Sequence, residues 1–453
     1  MPQYMIDSIE DFTDTVYQSV RKTGIKVQNK LRCRRRVSSA PDYDLSGQNV
    51  LFLVVDCLRA DHVSPNIHRE TTPFLAQLDN FCSTAISAAP WTFSSVPSIL
   101  SGLYPHNHGA VYERTLRNLK EGHPPQSIRK EVYTLPEVLA SAGYDTHLIT
   151  AIDLVELPLR GRFHSRSVRH NGSAHDIVQE LLSWWDSHGE SPRFAYVHFA
   201  DLHEPLRRPN KQPFGDIPNI QGLSRWKFTR TTKPEDEFER YRRERVRLYD
   251  TVLRMVDREL ERLFHRLESR DELDDTIVVI TADHGEEFWE RRVLERVHFH
   301  DPRGKYGVGH GHALIPEVLE VPLVIHGIDT ESANPVSTID ITPTVLSETA
   351  LSRNNFGRFD GVPLTESPSD RTVLAEEIAY GYDQQAVINE DHHLIHSAHE
   401  DETIVLDRNG EELVDEGGIA EDLLGYLPAD RRSGNTVSVS SETRNRLSDL
   451  GYM

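Results

Sequence analysis

Residues 49–56 read NVLFLVVD, an unbroken apolar run of strand length closed by a carboxylate. With no polar face to turn toward water, such a run fits a central parallel strand buried on both sides of a sheet. Residues 276–285 repeat the arrangement as TIVVITADHG, ending in Asp283 and His284. Residues 194–205, FAYVHFADLHEP, form a third strand-like run that closes in polar residues. Between the last two lies YRRERVRLYDTVLRMVDRELERLFHRLE, residues 241–268, with the spacing of a long charged helix. Alternating strands and helices predict an α/β fold, a doubly wound, mixed but mostly parallel sheet with helices on both faces. In such sheets ligands collect beyond the carboxyl ends of the strands, where Asp56 and Asp283 stand.

Working outward, 453 residues are too many for one small core and predict a large domain with a smaller one appended. Residues 1–44 read as an amphipathic and basic extension: Ile6, Ile9, Phe12, Val16 and Val20 recur at helical spacing, followed by LRCRRR at 31–36. The preferred reading is a helix packed on the main domain with a solvated basic end, over weak docking to a membrane surface or partner. Pro41 and Gly47 punctuate a linker. Residues 45–350 are expected to form the large domain that carries these strand ends. Residues 351–453, with strand-like TVLAEEIA and TIVLD, make a small C-terminal α+β subdomain ending in a helix and covering one edge of the site.

Acidic residues number 71 against 50 basic ones, a net charge of -21, which disfavours nucleic acid as a partner. Only nine of the basic residues are lysine. That balance resembles proteins of salt-loving organisms, in which dense carboxylates hold a hydration layer and salt screens their repulsion. Cys33, Cys57 and Cys82 have no paired spacing, so neither a disulfide framework nor a thiolate zinc site is expected. No apolar run approaches the roughly 18 residues of a membrane span. The acids in MPQYMIDSIEDF do not suit a signal peptide, and a cytoplasmic chain is the expectation.

In TADHGEEF, residues 281–288, Asp283 and His284 offer oxygen and nitrogen ligands side by side, and Gly285 is expected to allow a sharp turn. Residues 89–109, APWTFSSVPSILSGLYPHNHG, place Thr92, Ser94, Ser95 and Ser98 at the start of a predicted helix. A hydroxyl there is activated by a divalent cation, and helix N-terminal amides bind an oxyanion. Read from local sequence alone, Thr92 or Ser94 as an N-cap is the preferred reading.

Taken with VVDCLRADH, TTPFLAQLDNF, TLPEVLASAGYDT, GHGHALIPEVLEVPL, STIDITPTVL and the terminal RLSDLGYM, these pieces stand in the order of the sulfatase family. The chain resembles that family, a branch of the alkaline phosphatase superfamily, from about Asn49 to its end. The resemblance implies an alkaline-phosphatase-like fold and one divalent ion, manganese, calcium, magnesium or zinc, with manganese or calcium first. It implies Asp56, Thr92, Asp283 and His284 as metal ligands, with Thr92 also the nucleophile. His203 and His310 or His312 match family histidines that hold the ester oxygens or protonate the leaving group. Asp201 is expected to orient His203 and, with His203 and His312, to contact substrate. A second metal site built from His298, His300, His310, His312, Asp201 and His203 is the lesser alternative to His298 and His300 lying in a solvent-facing loop.

Four departures bear on substrate. Thr92 stands where family sulfatases carry a Cys or Ser that becomes formylglycine. Val96 replaces the Arg four residues on. The Lys expected near Thr150 and Ala151 is missing, and the second Asp of the family pair is Cys57. A threonine ester of sulfate lacks the second hydroxyl through which a formylglycine hydrate expels sulfate, whereas a threonine phosphate is open to a second in-line attack. The residues therefore point to a hydrolase or transferase of phosphoesters, on a small-molecule, glycan or lipid substrate. Thr-using phosphodiesterases and lipoteichoic acid synthases carry a similar set. The alternatives are a sulfatase with an unusual nucleophile and a non-catalytic binding protein, the latter disfavoured by ligands kept on distant segments.

Overall fold

The structure is a computed structural model that describes residues 31–38, 47–63, 70–78, 81–112, 125–207, 236–330, 335–349, 358–366, 370–413, 418–428, 435–436, 439 and 441–449. Eight strands form the main sheet: β1 (Asn49–Val55), β2 (Phe81–Ile86), β3 (Asp145–Thr150), β4 (Ser165–Val168), β5 (Arg193–Phe199), β6 (Thr276–Thr281), β7 (Glu320–His326) and β8 (Val336–Ser337). Their order is β8-β2-β7-β6-β1-β5-β3-β4. Every neighbouring pair is parallel except the two made by β7, which runs against both β6 and β2. The fold is thus alkaline-phosphatase-like α/β, mostly parallel and flanked by helices on both faces, as the apolar runs predicted.

β1 lies at the centre, and residues 50–55 are all buried because β5 and β6 flank it and helices cover both faces. Register decides the geometry of the site. Val54 pairs with Thr281, and Val55 pairs with Phe199. Asp56 and Asp283 therefore each emerge two residues beyond that paired position, from neighbouring strands on the same edge. The Asp56 N–H still donates to Phe199 O at 2.9 Å before the chain turns at Cys57, whose φ is 63°.

Helices α1 (Thr92–Ser101), α2 (Leu135–Ser141), α3 (Ala174–Asp186), α4 (Asp236–Glu268) and α5 (Ile341–Thr349) carry the outer layers. Capping boxes at Thr134 with Glu137 and Ser173 with Asp176 start α2 and α3. Along α4, Tyr241, Leu248, Tyr249, Val252, Val256, Leu260, Leu263 and Leu267 are buried at helical period, together with the charged Arg245, Asp257 and Glu259, while Arg243, Arg258, Glu261, Arg262, Arg266 and Glu268 are exposed. Tyr249 reaches from this helix to the turn after β1, accepting from Arg59 N and donating to Cys57 O at 2.7 Å.

The predicted helix carrying Ile6 to Val20 lies outside the described residues. Residues 31–37 are helical, and their basic run packs inward at two points. Cys33 is buried, and Arg36 pairs with Glu137, donates to Val132 O at 3.0 Å and stands over the Tyr133 ring. Near the other end of the chain, β9 (Val373–Glu376), β10 (Gln385–Ile388), β11 (His392–Ser397) and β12 (Glu402–Asp407) form a separate antiparallel sheet, with helix Ser441–Asp449 beyond it. Residues just after β9 reach the start of α1 and the segment that leads into β7: Glu377 O accepts from Trp91 Nε1 at 2.7 Å, and Gly311 O accepts from Ala379 N. Among the described residues no helix is long and apolar enough to cross a membrane.

Candidate active site

Asp56, Asp283 and His284 are fully buried, and one donor atom from each lies within 4.8 Å of the others. His284 Nε2 stands 3.3 Å from Asp56 Oδ1 and 3.5 Å from Asp283 Oδ2. Its other nitrogen, Nδ1, donates to Gly285 O at 2.9 Å, which orients the ring so that Nε2 faces the carboxylates. Thr92 Oγ1 completes the set at 3.2 Å from His284 Nε2. Thr92 is the first residue of α1 and not its cap; Trp91 holds the cap position and makes no side-chain cap bond. The neighbouring hydroxyls are committed elsewhere: Ser94 to Ala110 O, Ser95 to Asp283 O, and Ser98 to Ser94 O and His108.

The donor set fits a divalent cation. Asp56 Oδ2 is buried without a hydrogen-bond partner. Burial first, and then the Asp283 carboxylate, push Asp56 well above the usual carboxylate range. Burial pushes Asp283 the same way, but His284, His198 and the Thr92 hydroxyl outweigh it and hold Asp283 below that range. Two buried carboxylates this close resist ionising together, and a dication cancels both charges. Cys57, in place of a further acid, is kept a neutral thiol by burial and then by Asp56, and its Sγ donates to Asp56 Oδ1 at 3.2 Å.

Gly285 is needed for a different reason from the expected sharp turn. Its φ is not left-handed; instead its N–H donates to Val318 O at 2.7 Å, and a Cβ would lie 2.3 Å from Glu317 O.

Of the histidines, His310 comes next to the set, its ring 4.3 Å from that of His284 and its Nδ1 2.6 Å from Glu286 Oε2. His203 follows at 5.1 Å from the His310 ring, with Nδ1 toward Glu204 O at 2.8 Å. Asp201 does not orient His203: its Oδ1 accepts the Ala174 N–H at 3.0 Å, and its buried Oδ2 has no hydrogen-bond partner. Asp201 and His203 line a cavity of about 230 Å³ with Ala151, Ile152, Arg207 and Met255. His312 is not with these residues; its Nε2 faces Glu287 and Glu295. His298 pairs with Glu402 at 2.5 Å, and the backbone of His300 donates to Glu400, so both join the C-terminal sheet.

Sequence reasoning missed His198 and Glu286. His198 Nε2 is 3.3 Å from Asp283 Oδ2, and the signal available was one imidazole near the end of a strand that is apolar or aromatic from Phe194 to Val197. Glu286 directly follows the DHG motif.

The sulfatase family matches residues 48–350, and the chain belongs to that family. As a member of that family it is an ester hydrolase or transferase. The chain is 27% identical over 351 residues to the low-salt glycan biosynthesis sulfotransferase Agl7 of Haloferax volcanii, covering 75% of this chain and 70% of that one. Among solved structures it resembles a phosphonate monoester hydrolase from Silicibacter pomeroyi, with TM-score 0.59 and 18% identity over 83% of this chain and 93% of the other. It also resembles a protein solved with its substrate D-glucosamine-2-N,6-O-disulfate, with TM-score 0.59 and 16% identity over 89% and 98% of the chains.

Proposed function

We propose that the chain transfers or hydrolyses phosphoester groups through Thr92, on a glycan, lipid or small-molecule phosphoester. The observation that carries this reading is the Thr92 hydroxyl, 3.2 Å from His284 Nε2 and unused as a cap. Asp56, Thr92, Asp283 and His284 would hold one divalent ion; oxygen ligands with a single imidazole suit manganese, with calcium next and magnesium and zinc behind. When bound, the ion lowers the pKa of the hydroxyl and draws charge from the ester oxygens.

Thr92 Oγ1 then attacks phosphorus in line while the bond to the leaving oxygen breaks. That oxygen takes a proton from His310, which Glu286 orients, or from His203. Water or an acceptor hydroxyl next attacks phosphorus, passing its proton to the histidine that gave one up, while the bond to Thr92 breaks and its oxygen leaves as the alkoxide that made the first attack. A methyl-bearing alcohol has no aldehyde form, so the hydrate chemistry of formylglycine is closed to Thr92. Val96, buried within α1, and Ala151, on the cavity wall, bring no charge where sulfatases carry Arg and Lys.

A second reading is transfer of sulfuryl groups on a glycan, favoured by the name of the Haloferax relative. Bis(p-nitrophenyl) phosphate, p-nitrophenyl phosphate and p-nitrophenyl sulfate, assayed with each metal in turn and in high salt, separate the two.

A further inference from the structure

Between β6 and β7 the chain makes a long excursion in which Glu287 lies in a two-residue strand, Glu287–Phe288, paired with Val308–Gly309. Glu295 lies on the short helix Arg292–His298, and His312 follows the second strand. All three side chains are at least 98% buried. The other oxygens of the two carboxylates are spoken for: Glu287 Oε1 accepts Arg291 N, and Glu295 Oε2 accepts Gly307 N, each at 2.7 Å, while His312 Nδ1 is buried without a hydrogen-bond partner. What remains faces inward. His312 Nε2 is 2.9 Å from Glu287 Oε2 and 2.8 Å from Glu295 Oε1, and the three donor atoms lie within 4.8 Å of one another.

One imidazole nitrogen carries at most one proton and serves one carboxylate well. Glu287 receives that bond, while the contact to Glu295 Oε1 lacks hydrogen-bond geometry, leaving a fully buried carboxylate oxygen aimed into the cluster without a donor. An oxygen so placed is costly in a dry interior. A dication placed among the three atoms meets both carboxylates and the imidazole lone pair at once.

We propose that Glu287, Glu295 and His312 form a second divalent-metal site, structural and separate from the Asp56 centre. Two carboxylates with one imidazole favour zinc or manganese over calcium. The three ligands come from the strand, the helix and the returning segment of one excursion, so the metal would clasp these pieces and hold His310, two residues before His312, beside His284. The rival occupant is a proton. Burial and then Glu295 raise Glu287 well above the carboxylate range, and His312 is raised by Glu295 and Glu287 against its burial, which suits a proton-shared triad equally.

Metal content of the purified full chain, dialysed against metal-free buffer after loading with zinc or manganese, separates the cases. Asp283→Asn disables the first centre and Glu295→Gln the second. The expectation is one equivalent retained by Asp283→Asn, one fewer in Glu295→Gln than in the parent, and none in the double variant. Equal metal content in Glu295→Gln and the parent overturns the proposal. A parent that matches Asp283→Asn sinks only the first centre. In case Glu295→Gln fails to fold, cobalt(II) loaded into Asp283→Asn is a second measurement: visible absorption bands of an imidazole- and carboxylate-bound ion support the site, and a spectrum of aqueous cobalt alone overturns it.

Discussion

Thr92 Oγ1 and His284 Nε2 meet at 3.2 Å although 192 residues separate them in the chain. What holds them together is the backbone of Asp283. Its carbonyl accepts from Ser87 Oγ at 2.5 Å and from Ser95 Oγ at 2.6 Å, so the residue after β2 and the first turn of α1 are both moored to the end of β6. The Thr92 hydroxyl is thereby positioned by two serine hydroxyls that are both committed to a backbone carbonyl.

Thr92→Ala is expected to lower kcat by at least about a thousandfold, since the covalent route disappears. Thr92→Ser should keep activity within about tenfold. Circular dichroism and metal content should match the parent in both variants; parental turnover in Thr92→Ala would place the nucleophile elsewhere.

Substrate preference gives a second test. Either phosphate ester should exceed p-nitrophenyl sulfate in kcat/KM by at least about tenfold, roughly 1.4 kcal/mol of transition-state stabilisation. A sulfate preference under every metal would hand the assignment to the sulfuryl reading.

His310 and Glu286 act as one pair at 2.6 Å, so His310→Gln and Glu286→Gln should both slow turnover, the first by about a hundredfold. The loss should be largest for an alkyl phosphoester and shrink for p-nitrophenyl esters, whose leaving group needs no proton. A loss independent of the leaving group would mean the pair only holds the ester oxygens.

Burial raises Asp201 to about 6 from an ordinary 3.8. A carboxyl raised on folding binds its proton more tightly in the native state, so its contribution to stability is full below about pH 4 and is lost as pH rises through about 6. Asp201→Asn can keep the Ala174 hydrogen bond and removes that loss. The variant should therefore match the parent at pH 4 and exceed it above pH 7, by up to about 3 kcal/mol, read from denaturation at both pH values. A constant difference across this range would show that Asp201 does not titrate there.

Gly285→Ala is expected to destabilise the chain by about 2 kcal/mol or more, because the new methyl lands on Glu317 O. His284 should shift with it, so metal affinity should fall as the melting temperature falls.

The central strands were legible because burial on two faces leaves no polar position: β1, β5 and β6 are apolar almost throughout, and their closing acids mark the site edge. Thr92 was legible only through family order, since locally its hydroxyl looks like an N-cap. His203 and Asp201 were found, but their partners, Glu204 O and the Ala174 N–H, depend on how separate segments pack and leave no periodic trace. The two histidines of GHGH part company for a backbone reason. Gly309 at φ 98° and Gly311 at φ 74° break the extended alternation that would put residues two apart on one face. His310 consequently turns to His284 and His312 to the glutamates.

The direction of β7 has an evolutionary consequence. A chain leaving β6 for a parallel neighbour would have to cross the whole sheet and re-enter at the far end, committing its length to a crossover. Because β7 runs against β6, residues 282–319 depart from and return to the same edge, the one that bears Asp283. Between its own two short strands, residues 289–307 of this segment can lengthen or shorten without altering a pairing of the main sheet, and what they gain is delivered at the edge that bears Asp283. New leaving-group specificities can therefore arise here by insertion alone, with the catalytic set left untouched.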